Sequence, residues 1–142
     1  MRFFFFGTLL DDEVLTLVVG RDIPRADRRM AVLPGYRRAK VDGVSYPIVV
    51  PAEGAEVAGM LVSGLAPSEA ARLVAYEGAD YELVLRQVRA GSRQRQAHVF
   101  VPSPGSRLKP LDEEWKFEAW ASEHRAGFVA RLRRGLAAAR DI

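Results

Sequence analysis

The sequence predicts an α+β fold in which a mixed, curved or barrel-like sheet of about six strands carries flanking helices. Three observations lead there. The run Phe3-Phe4-Phe5-Phe6 stops at Gly7, and four aromatics in succession need apolar surroundings on both faces, so they form a central strand. Between residues 28 and 102, β-branched and aromatic segments are separated by Pro34-Gly35, Asp42-Gly43 and Gly91-Ser92, all strong turn chemistry. Stretches at 11–19, 67–76 and 112–140 space their apolar residues at the helical period instead. No stretch has the composition of a domain linker, so residues 1–142 read as one domain with a helical tail from about residue 112.

Taken in order, the acids Asp11, Asp12 and Glu13 suit a helix start, Val14, Leu15, Val18 and Val19 share one face, and Gly20 ends the helix. Arg28 to Leu33 and Tyr36 to Val41 are expected as two strands with a turn at Pro34-Gly35. Tyr46 to Pro51 is apolar and has proline near both ends, which predicts an edge strand or a lining segment. Ala52 to Ala55 is expected as loop. Glu56 to Leu65 reads as a strand in which Gly59 and Gly64 mark a bulge or a close backbone approach. Pro67 opens a helix packing through Ala70, Leu73, Val74 and Tyr76, and Gly78 closes it. Tyr81 to Ala90 and Arg95 to Pro102 follow as strands, then a Pro/Ser/Gly-rich loop to Pro110. The tail carries Trp115, Phe117, Trp120, Phe128, Leu132 and Leu136 as a packing stripe, with a break expected at Gly127.

Composition removes several function classes. The 142 residues hold 21 basic and 18 acidic side chains, so despite a pI near 9.6 the net charge of +3 gives a weak field. Arg28-Arg29, Arg37-Arg38, Arg93 and Arg95 would be the footprint of a nucleic-acid-binding barrel, but few aromatics interleave with them, and no nucleic-acid partner is expected. The absence of cysteine excludes disulfides and thiolate chemistry. His98 and His124 stand far apart without metal-ligand spacing, so neither metal nor other cofactor is expected. The amino-terminal apolar run is too short for a secretory signal, and no run is long enough to span a bilayer. A soluble cytoplasmic protein with no membrane partner, monomeric or homodimeric, is the expectation. GxGxxG, P-loop and GxSxG patterns are all missing.

Two stretches carry candidate chemistry. The turn after the first strand, Phe6-Gly7-Thr8-Leu9, offers backbone N–H groups and a hydroxyl suited to a carboxylate or phosphate; read structurally, Gly7 only turns the chain. The second is Tyr76-Glu77-Gly78 followed by Tyr81. Glu77 falls in the last turn of a helix, where the macrodipole disfavours a carboxylate by about 0.3–1 kcal/mol. Partial burial among tyrosines raises its pKa further, the recipe for a general acid/base. The structural alternative is an exposed acid at a helix end.

These stretches, with Tyr46-Pro47 and the segment Glu56 to Leu65 in this order, resemble the γ-glutamylcyclotransferase superfamily and in particular its small AIG2-like members, from the first strand to about Val101. The helical tail is similar to that of bacterial relatives. The resemblance implies a cofactor-independent enzyme that converts a γ-glutamyl amine or γ-glutamyl amino acid to 5-oxoproline and free amine. In it Gly7, Thr8 and Leu9, with Phe6, would hold the γ-glutamyl moiety, Tyr46 and Tyr81 would line the site, and Glu77 would be the catalytic acid/base. Three positions depart from the family pattern. Phe6 and Phe100 stand where tyrosine is usual, and Leu83 where arginine is frequent, so either the substrate differs or the fold serves as a non-catalytic module binding a small carboxylate.

Overall fold

In the computed structural model, which describes residues 1–140, five strands close into a barrel. β1 (Phe3–Phe5) lies between β3 (Ile48–Val62) and β5 (Arg93–Pro102); β5 pairs with β4 (Tyr81–Ala90), β4 with β2 (Arg28–Val41), and β2 returns to β3. Only the β1–β5 pairing is parallel. A sixth strand, β6 (Pro110–Glu114), adds to β2 outside the ring through Ala39↔Glu114 and Val41↔Pro110. Four α-helices are formed among the described residues: α1 (Asp12–Val19), α2 (Pro67–Glu77), α3 (Phe117–Glu123) and α4 (Arg125–Arg140).

The aromatic run is buried on both faces, as its composition demands. Phe3 and Phe5 face a core built with Val14, Leu15, Leu73, Trp115 and Trp120 from α1, α2 and the tail. Phe4 and Phe6 point the other way, into the barrel, against Leu33, Val49, Leu61, Val88 and Val99. Gly59 of β3 lets this happen, because a Cβ there would lie 2.3 Å from the Phe5 carbonyl oxygen and 2.6 Å from Phe4 Cζ.

Asp11 caps α1 by accepting the Val14 N–H at 3.0 Å, and Gly20 ends the helix at φ 94°. α2 begins after Ala66 with half a capping box: Glu69 accepts the Ala66 N–H at 2.9 Å, but alanine has no acceptor to return. Glu69 also pairs with Arg21 at 2.6 Å, and that guanidinium holds its carboxyl below the usual range.

Several local expectations are corrected. Pro34-Gly35 does not reverse the chain, because β2 runs unbroken from Arg28 to Val41. Its register jumps from Pro34↔Glu56 to Tyr36↔Pro51, so Ala52 to Ala55, expected as loop, bulge out opposite Gly35 while remaining strand. Gly35 and Gly54 both take positive φ, and facing glycines of this kind kink a ladder without ending it. The segment after Tyr46 is an edge as expected, since Ile48 to Pro51 pair with β2 alone while β1 meets β3 further on, at Met60 to Val62, and Pro51 is accommodated at the bulge. Val74, expected in the packing face of α2, is 49% exposed. The tail turns helical at Phe117 and not at 112, since Pro110 to Glu114 are captured as β6. The break falls at His124 instead of Gly127. No helix among the described residues is long and apolar enough to cross a membrane.

Candidate active site

β1 hands the chain to Gly7, where the turn begins. Gly7 has φ −124°, so the turn does not use the positive φ that glycine permits. The reason for glycine is space, since Pro47 Cγ would meet a Cβ at 3.0 Å. Thr8 to Leu10 form a single 3-10 turn in which the Leu10 N–H donates to Gly7 O (3.0 Å) and the Asp11 N–H to Thr8 O (3.1 Å). The N–H groups of Thr8 and Leu9 come before the first of these bonds and are not used by the turn itself.

Two hydrogen bonds bring the second motif to this turn. Thr8 Oγ1 and Tyr76 Oη lie 2.6 Å apart, tying the turn to the end of α2. Tyr81 Oη donates to the Pro47 carbonyl at 2.8 Å, tying the start of β4 to the segment before β3. Between Tyr76 and Gly78, which takes φ 80° and closes α2, sits Glu77. All seven residues predicted for the site, Phe6, Gly7, Thr8, Leu9, Tyr46, Glu77 and Tyr81, line one cavity of about 200 Å³.

Glu77 is the one acidic or basic side chain among the lining residues. Burial pushes its carboxyl from the ordinary 4.5 up to about 8. No side-chain hydrogen bond reaches it among the described residues, so no donor offsets the loss of water. The same burial, with the Glu77 charge adding to it, pushes the Tyr76 and Tyr81 hydroxyls above the usual phenol range. Both phenols therefore remain protonated donors. One lining group able to exchange a proton near neutrality, facing a turn with free amides, suits general acid/base work on an anionic ligand.

Matches to known proteins give the family and the fold. A family described as gamma-glutamyl cyclotransferase, AIG2-like, matches residues 3–120. The chain belongs to that family. Among curated relatives of this AIG2-like chain, Protein AIG2 C of Arabidopsis thaliana is 31% identical over 137 residues, covering 94% of this chain and 79% of the relative. A solution structure from Arabidopsis thaliana superposes with a TM-score of 0.69 at 26% identity, over 96% of this chain and 91% of the other. A solved gamma-glutamyl cyclotransferase shares the fold at a TM-score of 0.55 and 12% identity, over 92% of this chain and 98% of that one.

The three positions that depart from the family pattern fall differently in the structure. Phe6 and Phe100 both line the cavity, whereas Leu83 packs against the core around β1 and is not among the lining residues. Several contributors were not singled out from sequence. Tyr76, part of the Tyr76-Glu77-Gly78 stretch but expected only to pack, lines the cavity and holds Thr8. Arg38 of β2 fixes the strand end from behind, donating to the carbonyls of Phe6 (3.0 Å) and Ala58 (3.1 Å) while its guanidinium lies 5.6 Å from the Trp115 ring centroid. Phe128 of α4 reaches the cavity from the tail. For Arg38 and Phe128 nothing in local spacing signals the role, because each depends on tertiary placement, Arg38 reaching Phe6 from β2, a strand that does not pair with β1, and Phe128 from α4.

Proposed function

We propose that this AIG2-like protein is a cyclotransferase acting on a γ-glutamyl amine or γ-glutamyl amino acid. The observation that carries the reading is the convergence of Glu77 and the Gly7–Leu9 turn on one cavity. The substrate supplies its own nucleophile. Its α-amine attacks the γ-carbonyl carbon, a C–N bond closes the five-membered ring, the bond to the leaving amine breaks, and 5-oxoproline and free amine result without net oxidation or reduction. Because attack is intramolecular, the protein needs only to hold the bent conformer and move protons. In this reading Glu77 takes a proton from the α-ammonium and delivers one to the departing nitrogen. The α-ammonium of a γ-glutamyl compound lies beside its own α-carboxylate and so titrates above the roughly 7.7–8.0 of a peptide amino terminus; burial moves Glu77 from 4.5 up to about 8 and narrows that gap, which eases the proton transfer. The turn's amides take the α-carboxylate or the developing oxyanion.

The test is 5-oxoproline release from a panel of γ-glutamyl amines and amino acids, measured by mass, with Glu77→Gln in parallel. The wild type should form product with kcat/KM greatest above pH 8, between the value of about 8 for Glu77 and the higher one of the substrate's α-ammonium. It should fall on the acid side as Glu77 takes up its proton and on the alkaline side as the amine loses its own. A folded Glu77→Gln protein should form none, and turnover by it would refute the assignment. The hydrocarbon rings of Phe6 and Phe100 in the lining favour one second reading, a module that binds a small carboxylate without turning it over; thermal stabilisation by the panel with no product would establish it.

A further inference from the structure

We propose that Phe128 is a specificity-determining residue and that the site takes γ-glutamyl amides of small, uncharged amines; this rests on the cyclotransferase reading above. Phe128 lies beyond residue 120, where the family match ends, and it is carried by α4, outside the barrel and the strand–turn–helix that supply the rest of the polar site. Its ring meets Tyr76 edge-on, with centroids 6.5 Å apart and planes at 78°, and is backed by Trp120 at 5.4 Å and 74°. It thus forms a rigid wall beside the end of α2 that bears Glu77. The polar groups of the cavity are the turn amides, the Glu77 carboxyl, Thr8 Oγ1 and three tyrosine hydroxyls; Thr8 is bonded to Tyr76 and Tyr81 to the Pro47 carbonyl, and the amides and Glu77 serve the charged glutamyl half of the substrate. What remains for the amine is aromatic and uncharged: Phe128, Phe100, Phe6, the ring faces of the tyrosines and the Tyr46 hydroxyl. No cation is among the lining residues, so a second carboxylate on the leaving amine would be desolvated there without a partner. A cavity of about 200 Å³, below the roughly 300 Å³ at which sites for drug-sized ligands begin, leaves little room beyond the glutamyl group.

The wall is held in place by ion pairs from α4 itself. Arg125, one turn before Phe128, pairs with Asp11 and Glu13, the latter at 2.9 Å, and Arg133 pairs with Glu13. These contacts pin α4 to the start of α1, directly after the substrate turn. Arg125 does not line the cavity and is a positioning residue that acts through Phe128.

The experiment compares γ-glutamyl methylamide, butylamide and benzylamide, with γ-glutamylglycine as the carboxylate-bearing member. It reads 5-oxoproline release and, independently, thermal stabilisation of wild type, Phe128→Ala, Phe128→Leu, Arg125→Gln and Arg125→Lys. The wild type should favour the methylamide over the benzylamide and over γ-glutamylglycine by at least about tenfold. Phe128→Ala, or Phe128→Leu where the alanine variant does not fold, should erase the size preference. Arg125→Gln should shift the same ratio in the same direction, which a purely structural loss would not do, and Arg125→Lys should restore it. An unchanged ratio in a folded Phe128 variant, or a wild type preferring γ-glutamylglycine, overturns the proposal while leaving cyclisation standing if 5-oxoproline forms. Graded binding without 5-oxoproline overturns cyclisation and supports the wall. Binding of no member by any variant overturns both.

Discussion

Glu77→Gln should reshape stability against pH. Folding moves the carboxyl from 4.5 to about 8. Below pH 4.5 the folded and unfolded chains both hold the proton, and the contribution of the neutral, buried acid is fully present. Between 4.5 and about 8 the unfolded chain has released the proton and the folded one has kept it, so unfolding free energy falls by about 1.4 kcal/mol per pH unit. Across the interval this is a ceiling of about 5 kcal/mol, complete once the pH exceeds the folded value. Part of the Glu77 surface stays open to the cavity, where water screens the charge and reduces the loss to a few kcal/mol. Glutamine is neutral throughout and escapes it. Urea unfolding of wild type and Glu77→Gln from pH 4.5 to 9.5 gives the difference directly. Groups with the opposite behaviour, such as Glu69 and Glu13, whose carboxyls Arg21 and Arg133 hold below the usual range, cancel in the subtraction. The stability of the variant relative to wild type should climb with pH and level off above 8. A flat difference would refute the buried, undonated carboxylate on which the proposed chemistry rests.

Two further substitutions test the frame around the site. Gly59→Ala sets a methyl group against backbone at the Phe5 carbonyl, 2.3 Å away, and should lower unfolding free energy by about 3 kcal/mol in urea; an unchanged midpoint would mean β1 and β3 are not so closely apposed. Ala66→Ser completes the capping box that Glu69 half supplies and should add about 1 kcal/mol, read as a rise in Tm of about 4 °C; no rise would show that the Glu69–Arg21 pair already fixes the helix start.

The sequence exposed those parts of the fold whose signal is local. Four consecutive aromatics can only be a strand buried twice, and β1 divides them between the barrel and the helical core. The caps of α1 and the hairpin around Gly91-Ser92 are equally local, and residues and observed elements agree. Pro34-Gly35 misled because turn chemistry states that a chain bends but not whether its partner bends with it; here Gly54 across the ladder takes a matching positive φ, and both strands continue. Residues 110–114 misled for a related reason. All five are exposed, so no burial pattern marks them, and only the free side of β2 makes them a strand. In the site, the seven predicted residues are brought to one cavity, whereas Phe128 was hidden inside a stripe that reads entirely as packing. It does both, with one edge on Trp120 and another on Tyr76.

That double use explains how a cavity with a single charged side chain serves the proposed reaction. Reactions between two bound partners need each to be gripped, usually by several charged or hydrogen-bonding side chains. A γ-glutamyl amide carries nucleophile and electrophile on one short chain, so the chief demand on the protein is to favour the folded conformer, and a close hydrocarbon wall does that without recognising either end. The remaining demand is one proton carrier poised near the α-amine, and the same hydrocarbon provides it, because removing water from Glu77 is what raises its pKa. Opening the wall at Phe128 would therefore weaken both functions together. A Phe128→Ala enzyme should accept larger amines and at the same time show its acid limb displaced to lower pH, as water returns to the carboxyl; a broadened specificity with the limb unmoved would separate the wall from the tuning of Glu77.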